Sequence, residues 1–456
     1  MTNDKKFKET YNTMKIISTP CGKIQGTDSS LKGVTTFRGI RYATAGRWEY
    51  PKEVTHWDGI YDATKYGNCS YQPRAFYNEE ENLKKIFYYN EFRKGASYTY
   101  SEDCLFLNIW TPECIEPNSK LPVIIYVHGG GYTGGCGHEK HFDDPVWPSK
   151  GVIAVTINYR LGPMGFLCLP ELRDEAGHCG NYGLFDQLTA FKWVKNNISS
   201  FGGDPDRITV MGQSAGAMSV QMHCMSPLAD GLFSSAVMSS GCGMSDMLMS
   251  TPEKVYPFWQ EVMKRLDCAN LDEFRKVAPD RLFAEWQRAK TEVKGGMMAT
   301  FPVKDGVFIT DNASPKQIPY IIGSNSHDMA PPILYHLAKK WKRKELKDRY
   351  IYHLDRMLPG DKCGSWHSAD LWYWFGTLKN CWRPFEDKDR ELSDQMTTYL
   401  CNFAKNGNPN SENQPQWTPC FADKKVMHFG EGETKMKNPS VLKLTAIMLT
   451  NKSVGE

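Results

Sequence analysis

The chain is predicted to fold as an α/β protein on a mostly parallel central sheet with helices on both faces. Three observations lead there. Residues 105–110, 123–127 and 152–157 are continuous apolar runs without polar alternation, the pattern of strands covered on both sides. Helix-period segments at 185–197, 217–224 and 252–266 alternate with such runs, which calls for crossover connections. Finally, Gly212-Gln213-Ser214-Ala215-Gly216 lies between an apolar strand (208–211) and a helix-forming stretch. A serine on that sharp turn projects its hydroxyl above the sheet, and the flanking glycines leave the strained turn room. The helix N-terminus behind it offers N–H groups and a positive dipole end.

The elements follow in order. Residues 1–14 read as a polar lead, and 15–27 and 33–42 as short β segments with Gly-containing turns. The stretch 69–101, rich in Tyr, Asn and charge, suits a surface excursion. A strand at 318–322 ends at Gly323, and a late helix at 385–405 is broken by Gly407-Asn408-Pro409-Asn410. With no repeat or low-complexity linker, 15–450 reads as one domain, with helical insertions around 245–300 and 329–366.

Composition excludes several functions. A formal net charge of +3 over 456 residues gives no basis for nucleic-acid binding. The run Lys339-Lys340-Trp341-Lys342-Arg343-Lys344, followed by Glu345 and Asp348, reads as a solvated helix face. No segment has the apolar length of a membrane span, and the N-terminus lacks an apolar signal region, so a cytoplasmic location is expected. Fourteen scattered cysteines make no Cys-x-x-Cys pair, so neither a metal nor a cofactor is expected.

His128-Gly129-Gly130-Gly131-Tyr132 follows the strand at 123–127. Consecutive glycines let the backbone aim N–H groups into a cavity, where each such donor to an oxyanion lowers the barrier by about 3–4 kcal/mol. Gly130, Gly131 and Ala215 are the expected donors.

These features together resemble the type-B carboxylesterase and cholinesterase family, of the para-nitrobenzyl-esterase-like kind. The elbow sits within residues 201–216, and Glu102-Asp103-Cys104-Leu105-Phe106-Leu107-Asn108 matches a second family signature. Further matches are Asn158-Tyr159-Arg160-Leu161-Gly162, the segment 180–187, Gly231-Leu232-Phe233 and the segment 403–410. The resemblance implies an α/β-hydrolase fold, helical insertions forming a gorge, and a Ser–His–acid triad. By family context Ser214 is the nucleophile. Asp328, in Gly323-Ser324-Asn325-Ser326-His327-Asp328, is the acid, and His367, in Gly364-Ser365-Trp366-His367, is the base. His128 precedes Ser214, against the family order of Ser, acid, His, so a structural role is expected for it. His327, His336 and His353 lack a matching context. Ser240 matches a supporting serine near the acid. Glu102, Arg160 and Asp186 sit in apolar neighbourhoods and are expected to form structural ion pairs. Cys69 and Cys104 align with a family disulfide; two free thiols are the alternative.

Two departures bear on substrate. Gln213 stands where cholinesterases carry Glu, which removes a favourable charge for a quaternary ammonium. Only 39 positions separate Asp328 from His367 (367 − 328), a shortening that predicts an open or reshaped pocket. The expected activity is hydrolysis of a small-molecule carboxylic ester through an acyl-enzyme, by a monomer or small homo-oligomer. An amidase, thioesterase or carbamate hydrolase with the same site is the alternative, and a non-catalytic binding protein of this fold a remoter one.

Overall fold

A computed structural model describes residues 15–450 apart from 84, 114, 116–118, 312 and 347, and without the side chains of 422 and 423. The expected lead at 1–14 lies outside the described residues. The main sheet runs through β1 (Lys15–Thr19), β2 (Gly22–Asp28), β3 (Val34–Arg41), β4 (Phe106–Pro112), β5 (Leu121–Val127), β6 (Ile153–Ile157), β7 (Gly203–Gln213), β8 (Ser235–Ser239), β9 (Tyr320–Asn325), β10 (Arg349–Leu354), β11 (Val426–Phe429) and β12 (Thr434–Lys437). Their spatial order is β1-β2-β3-β4-β6-β5-β7-β8-β9-β10-β11-β12, with Ile60–Asp62 added beside β2. Every pairing from β6 to β11 is parallel, and the two margins are antiparallel. This is the α/β-hydrolase architecture that the sequence predicted.

The uninterrupted apolar strands are explained by two hydrophobic layers. Val123, Ile125 and Val127 of β5 face one side, with α2 (Tyr182–Asn197) and α3 (Ala215–Met225). Ile124 and Tyr126 face the other, toward α7 (Asp370–Phe375) and α8 (Asp387–Asn406), whose Phe375, Tyr399 and Phe403 fill that layer. Helix α8 starts on a reciprocal Glu386–Asp389 capping box and stops at Gly407, whose φ of 70° ends the helix in the left-handed region. A third cluster, with Trp259 of α4 (Pro252–Arg265) and Trp286 of α5 (Pro279–Glu292), builds the region 245–300.

Between Asp328 and His367 the chain is not only a helical insertion. It contains one helix, α6 (Pro331–Lys340), and then a core strand, β10. Arg349 at the head of β10 is fully buried, and its Nη2 donates to the carbonyls of Ala338 (2.9 Å) and Lys339 (3.1 Å). A cation bonded to the last carbonyls of α6 complements the helix dipole, while its Nε and Nη1 are buried without a partner. The stretch 69–101 also differs from expectation. It carries α1 (Ile86–Phe92), and Phe92 and Glu91 are buried against the second layer.

Candidate active site

The carboxyl ends of β7, β8 and β9 lie side by side, where open α/β sheets present their chemistry. Chain leaves β7 at Gln213, and Ser214 turns it into α3 with φ 56° and ψ −125°, a sparsely populated conformation costing about 1–3 kcal/mol. Only glycines fit around it. A Cβ on Gly216 would stand 2.1 Å from the Val127 carbonyl oxygen, and one on Gly212 would stand 2.3 Å from the Gly216 carbonyl oxygen. The Ser214 N–H donates to the Ser239 carbonyl at 2.9 Å, which anchors the turn to β8.

Three side chains that are distant in sequence meet here. Ser214 Oγ is 2.9 Å from His367 Nε2. His367 Nδ1 bonds Asp328 Oδ1. Because a carboxylate only accepts, the proton belongs on Nδ1 and Nε2 is left to accept from the serine. Asp328 Oδ2 accepts from Ser240 Oγ (2.6 Å) and the Asn325 N–H (3.2 Å), while Oδ1 also accepts from the Met329 N–H (3.0 Å). Burial alone would push His367 down, yet the charge and hydrogen bond of Asp328 prevail and hold the imidazole above its ordinary pKa. Burial likewise opposes ionisation of Asp328, but His367, Ser240 and Asn325 keep its carboxyl below the usual range. Gln213 Nε2 also reaches His367 Nε2, at 3.2 Å.

The glycine loop lies opposite. Gly130 adopts φ 109°, and its carbonyl accepts from the N–H groups of Thr133 and Gly134 at 3.0 Å each. Gly129, Gly130 and Gly131 line the same cavity of about 410 Å³ as Ser214 and His367, and Ala215 begins α3 beside the serine. Tyr88 and Phe92 of α1, with Tyr126, Phe142 and Leu371, make its apolar wall. Four of the charged residues at the cavity are paired, Arg74 with Glu139 at 2.6 Å and Arg93 with Glu79 at 2.7 Å, and Lys85 also lines it.

Other sequence candidates stand apart. His128 is buried, stacks on Tyr159 with ring centroids 4.4 Å apart, and bonds the Gly129 carbonyl through Nδ1 at 2.8 Å. His327 lies on the backbone of Ser365 and Trp366, His336 is exposed, and His353 is buried near His428. Arg160 and Asp186 form a buried two-pronged pair at 2.9 and 2.7 Å. Glu102 is only half-buried and pairs with Arg47. Cys69 and Cys104 are both free thiols in the structure, the second of the two readings of that pair. The Cys69 sulfur instead faces His138 Nε2 at 3.6 Å.

Two contributors were missed from sequence. Asp370, three residues after His367, is buried and accepts from Tyr352 Oη (2.7 Å), Ser239 Oγ and Asn325 Nδ2 (3.3 Å), tying the start of α7 to β8, β9 and β10. Its signal was a lone carboxylate heading the apolar run 371–375. Glu91 accepts from Trp372 Nε1 (2.8 Å), Trp382 Nε1 (2.9 Å) and Arg383 Nε (2.9 Å), which holds the aromatic wall to the segment bearing His367. Among the described residues no helix is long and apolar enough to cross a membrane.

Comparison with known proteins bears on the family and the fold. The carboxylesterase family model matches residues 13–358 and 332–443. The chain is 41% identical over 234 residues to para-nitrobenzyl esterase of Bacillus subtilis (strain 168), covering 50% of this chain and 44% of that protein. It is 34% identical over 325 residues to fumonisin B1 esterase of Sphingopyxis macrogoltabida, covering 68% and 55%. The chain thus spans about half the length of these curated relatives. A PNB esterase structure superposes with a TM-score of 0.79 at 25% identity, covering 95% of this chain and 99% of that one. An esterase from anaerobic Clostridium hathewayi that can hydrolyze aliphatic aromatic polyesters also superposes at 0.79, with 25% identity and 96% and 98% coverage. With a family match running almost the length of a sheet of this topology, the chain belongs to the carboxylesterase family.

Proposed function

We propose that the protein hydrolyses carboxylic esters through an acyl-enzyme on Ser214. The observation that carries this reading is the continuous hydrogen-bonded chain from Ser214 Oγ through His367 to Asp328. His367 Nε2 takes the serine proton as Oγ attacks the ester carbonyl. The N–H groups of Gly130, Gly131 and Ala215 receive the oxyanion, and His367 returns its proton to the departing alcohol. Water then repeats the sequence to release the acid. Asp328 fixes the imidazole tautomer and stabilises its charge, and Ser240 holds Asp328. No step requires a metal or an organic cofactor.

The cavity's aromatic wall supports esters with bulky or aromatic groups. Among the described residues of 329–366 only Met329, itself 63% exposed, lines the cavity, which supports an open side there. The structural likeness to PNB esterase and to a polyester-hydrolysing esterase supports the same substrate class. A p-nitrophenyl ester series of rising acyl length, run on wild type and Ser214→Ala, tests the reading. Turnover of bulky esters that is lost in the variant is expected; a variant with wild-type turnover overturns it.

A further inference from the structure

We propose that Cys69, Cys136 and His138 bind one thiophilic closed-shell metal ion, Zn²⁺ or Cu⁺, that fastens the glycine loop to the strand segment beside it. Two sulfurs and one imidazole nitrogen lie within 4.8 Å of one another, and all three residues are buried. Ion-to-sulfur bonds of about 2.3 Å and ion-to-nitrogen bonds of about 2.0–2.1 Å at tetrahedral angles put S and N about 3.6 Å apart. The Cys69 Sγ to His138 Nε2 separation is 3.6 Å. The imidazole is held for the purpose: Tyr66 stacks on it at 4.5 Å with an interplanar angle of 8°. Nε2 is the nitrogen that faces the Cys69 sulfur, so with the ring proton on Nδ1 its lone pair is free to ligate. Arg74, the neighbouring cation, is paired with Glu139 at 2.6 Å. Binding displaces the two thiol protons to solvent and changes no oxidation state.

The consequence reaches the reaction site. The Gln72 side chain already clamps Gly135, accepting from its N–H at 2.9 Å and donating to its carbonyl at 3.0 Å. An ion shared by Cys69 and Cys136 adds a second tie between the same two segments. It would stabilise the loop that carries Gly130 and Gly131. Sequence spacing hid the site, because one ligand comes from a strand 67 positions before the Cys-x-His pair (136 − 69).

The test uses full-length protein purified under reductant, stripped with a chelator, and dialysed separately against Zn²⁺ or Cu⁺. Metal content is measured by mass spectrometry, a readout independent of esterase activity. One ion per chain from at least one arm is expected, with a rise in Tm. That uptake should vanish in Cys69→Ser, Cys136→Ser and His138→Ala and persist in Cys268→Ser, which removes a thiol elsewhere. Co²⁺ loading should give thiolate-to-cobalt charge-transfer absorption. If the cysteine variants fail to fold, His138→Ala carries the comparison. Wild type that retains no more metal than His138→Ala overturns the proposal. So does peptide mapping that recovers Cys69 joined to Cys136 as a disulfide.

Discussion

Replacing Gln213 by Glu puts a carboxylate where an amide nitrogen now stands 3.2 Å from His367 Nε2. At an effective dielectric constant of about 20, unit charges that close attract by about 5 kcal/mol, nearly four pKa units. Two effects reduce this. Gln213 is only 2% exposed, so burial penalises the new carboxylate, and neighbouring charges ordinarily move a pKa by about 1–3 units. An upward shift of about one to two units in the imidazole pKa is therefore expected. The sign follows from the mechanism, since only the neutral imidazole accepts the Ser214 proton. Raising its pKa moves the acid limb of the kcat/KM profile to higher pH, and each unit costs about tenfold in rate well below the new pKa. The assay is a pH–rate profile on p-nitrophenyl acetate for wild type and Gln213→Glu. An acid limb that stays in place or moves down refutes the reasoning.

Gly216→Ala drives a Cβ to within 2.1 Å of the Val127 carbonyl oxygen, a backbone atom with nowhere to yield. A loss of more than about 3 kcal/mol is expected, seen as insoluble protein or a large drop in melting temperature. Glu91→Ala removes the acceptor of Arg383 Nε and of two indole N–H groups in the core, leaving Arg383 its pair with Asp361 at 2.6 Å. With Asp361 still beside Arg383, a cost at the low end, about 3 kcal/mol by denaturant titration, is expected, and KM should rise more than kcat falls, because α1 carries Tyr88 and Phe92. Ser240→Ala removes a 2.6 Å hydrogen bond to Asp328. Bonds to charged groups contribute about 1.5–3 kcal/mol, so kcat should fall roughly ten- to a hundredfold with KM unchanged.

What was legible in the sequence follows from local constraint. The turn at Ser214 demands glycines on both sides, and the strands of the sheet's centre are apolar on both faces, so both leave marks in short windows. Asp328 and His367 were located by motif, although nothing local states that they touch. Strand β10 escaped notice because Arg349 and His353 break its apolar run, and their burial is explained only by α6 and β11 packing against them. The excursion at 69–101 looked polar because its charges are counted before they are paired. Glu91 with Arg383 and Arg93 with Glu79 neutralise it, which lets Phe92 and Tyr88 turn inward to the cavity. The sequence left Cys69 and Cys104 open between a bridge and two thiols for a related reason: a register along the chain does not fix where a sulfur points.

Covalent chemistry on Ser214 is the central claim. A slowly deacylating aryl ester is mixed with enzyme, quenched in acid within the burst phase, and followed by intact-mass and peptide analysis. One acyl group per chain is expected, borne on Ser214 and absent from Ser214→Ala. Rapid ester turnover with no adduct on Ser214, or an adduct on another residue, would contradict it.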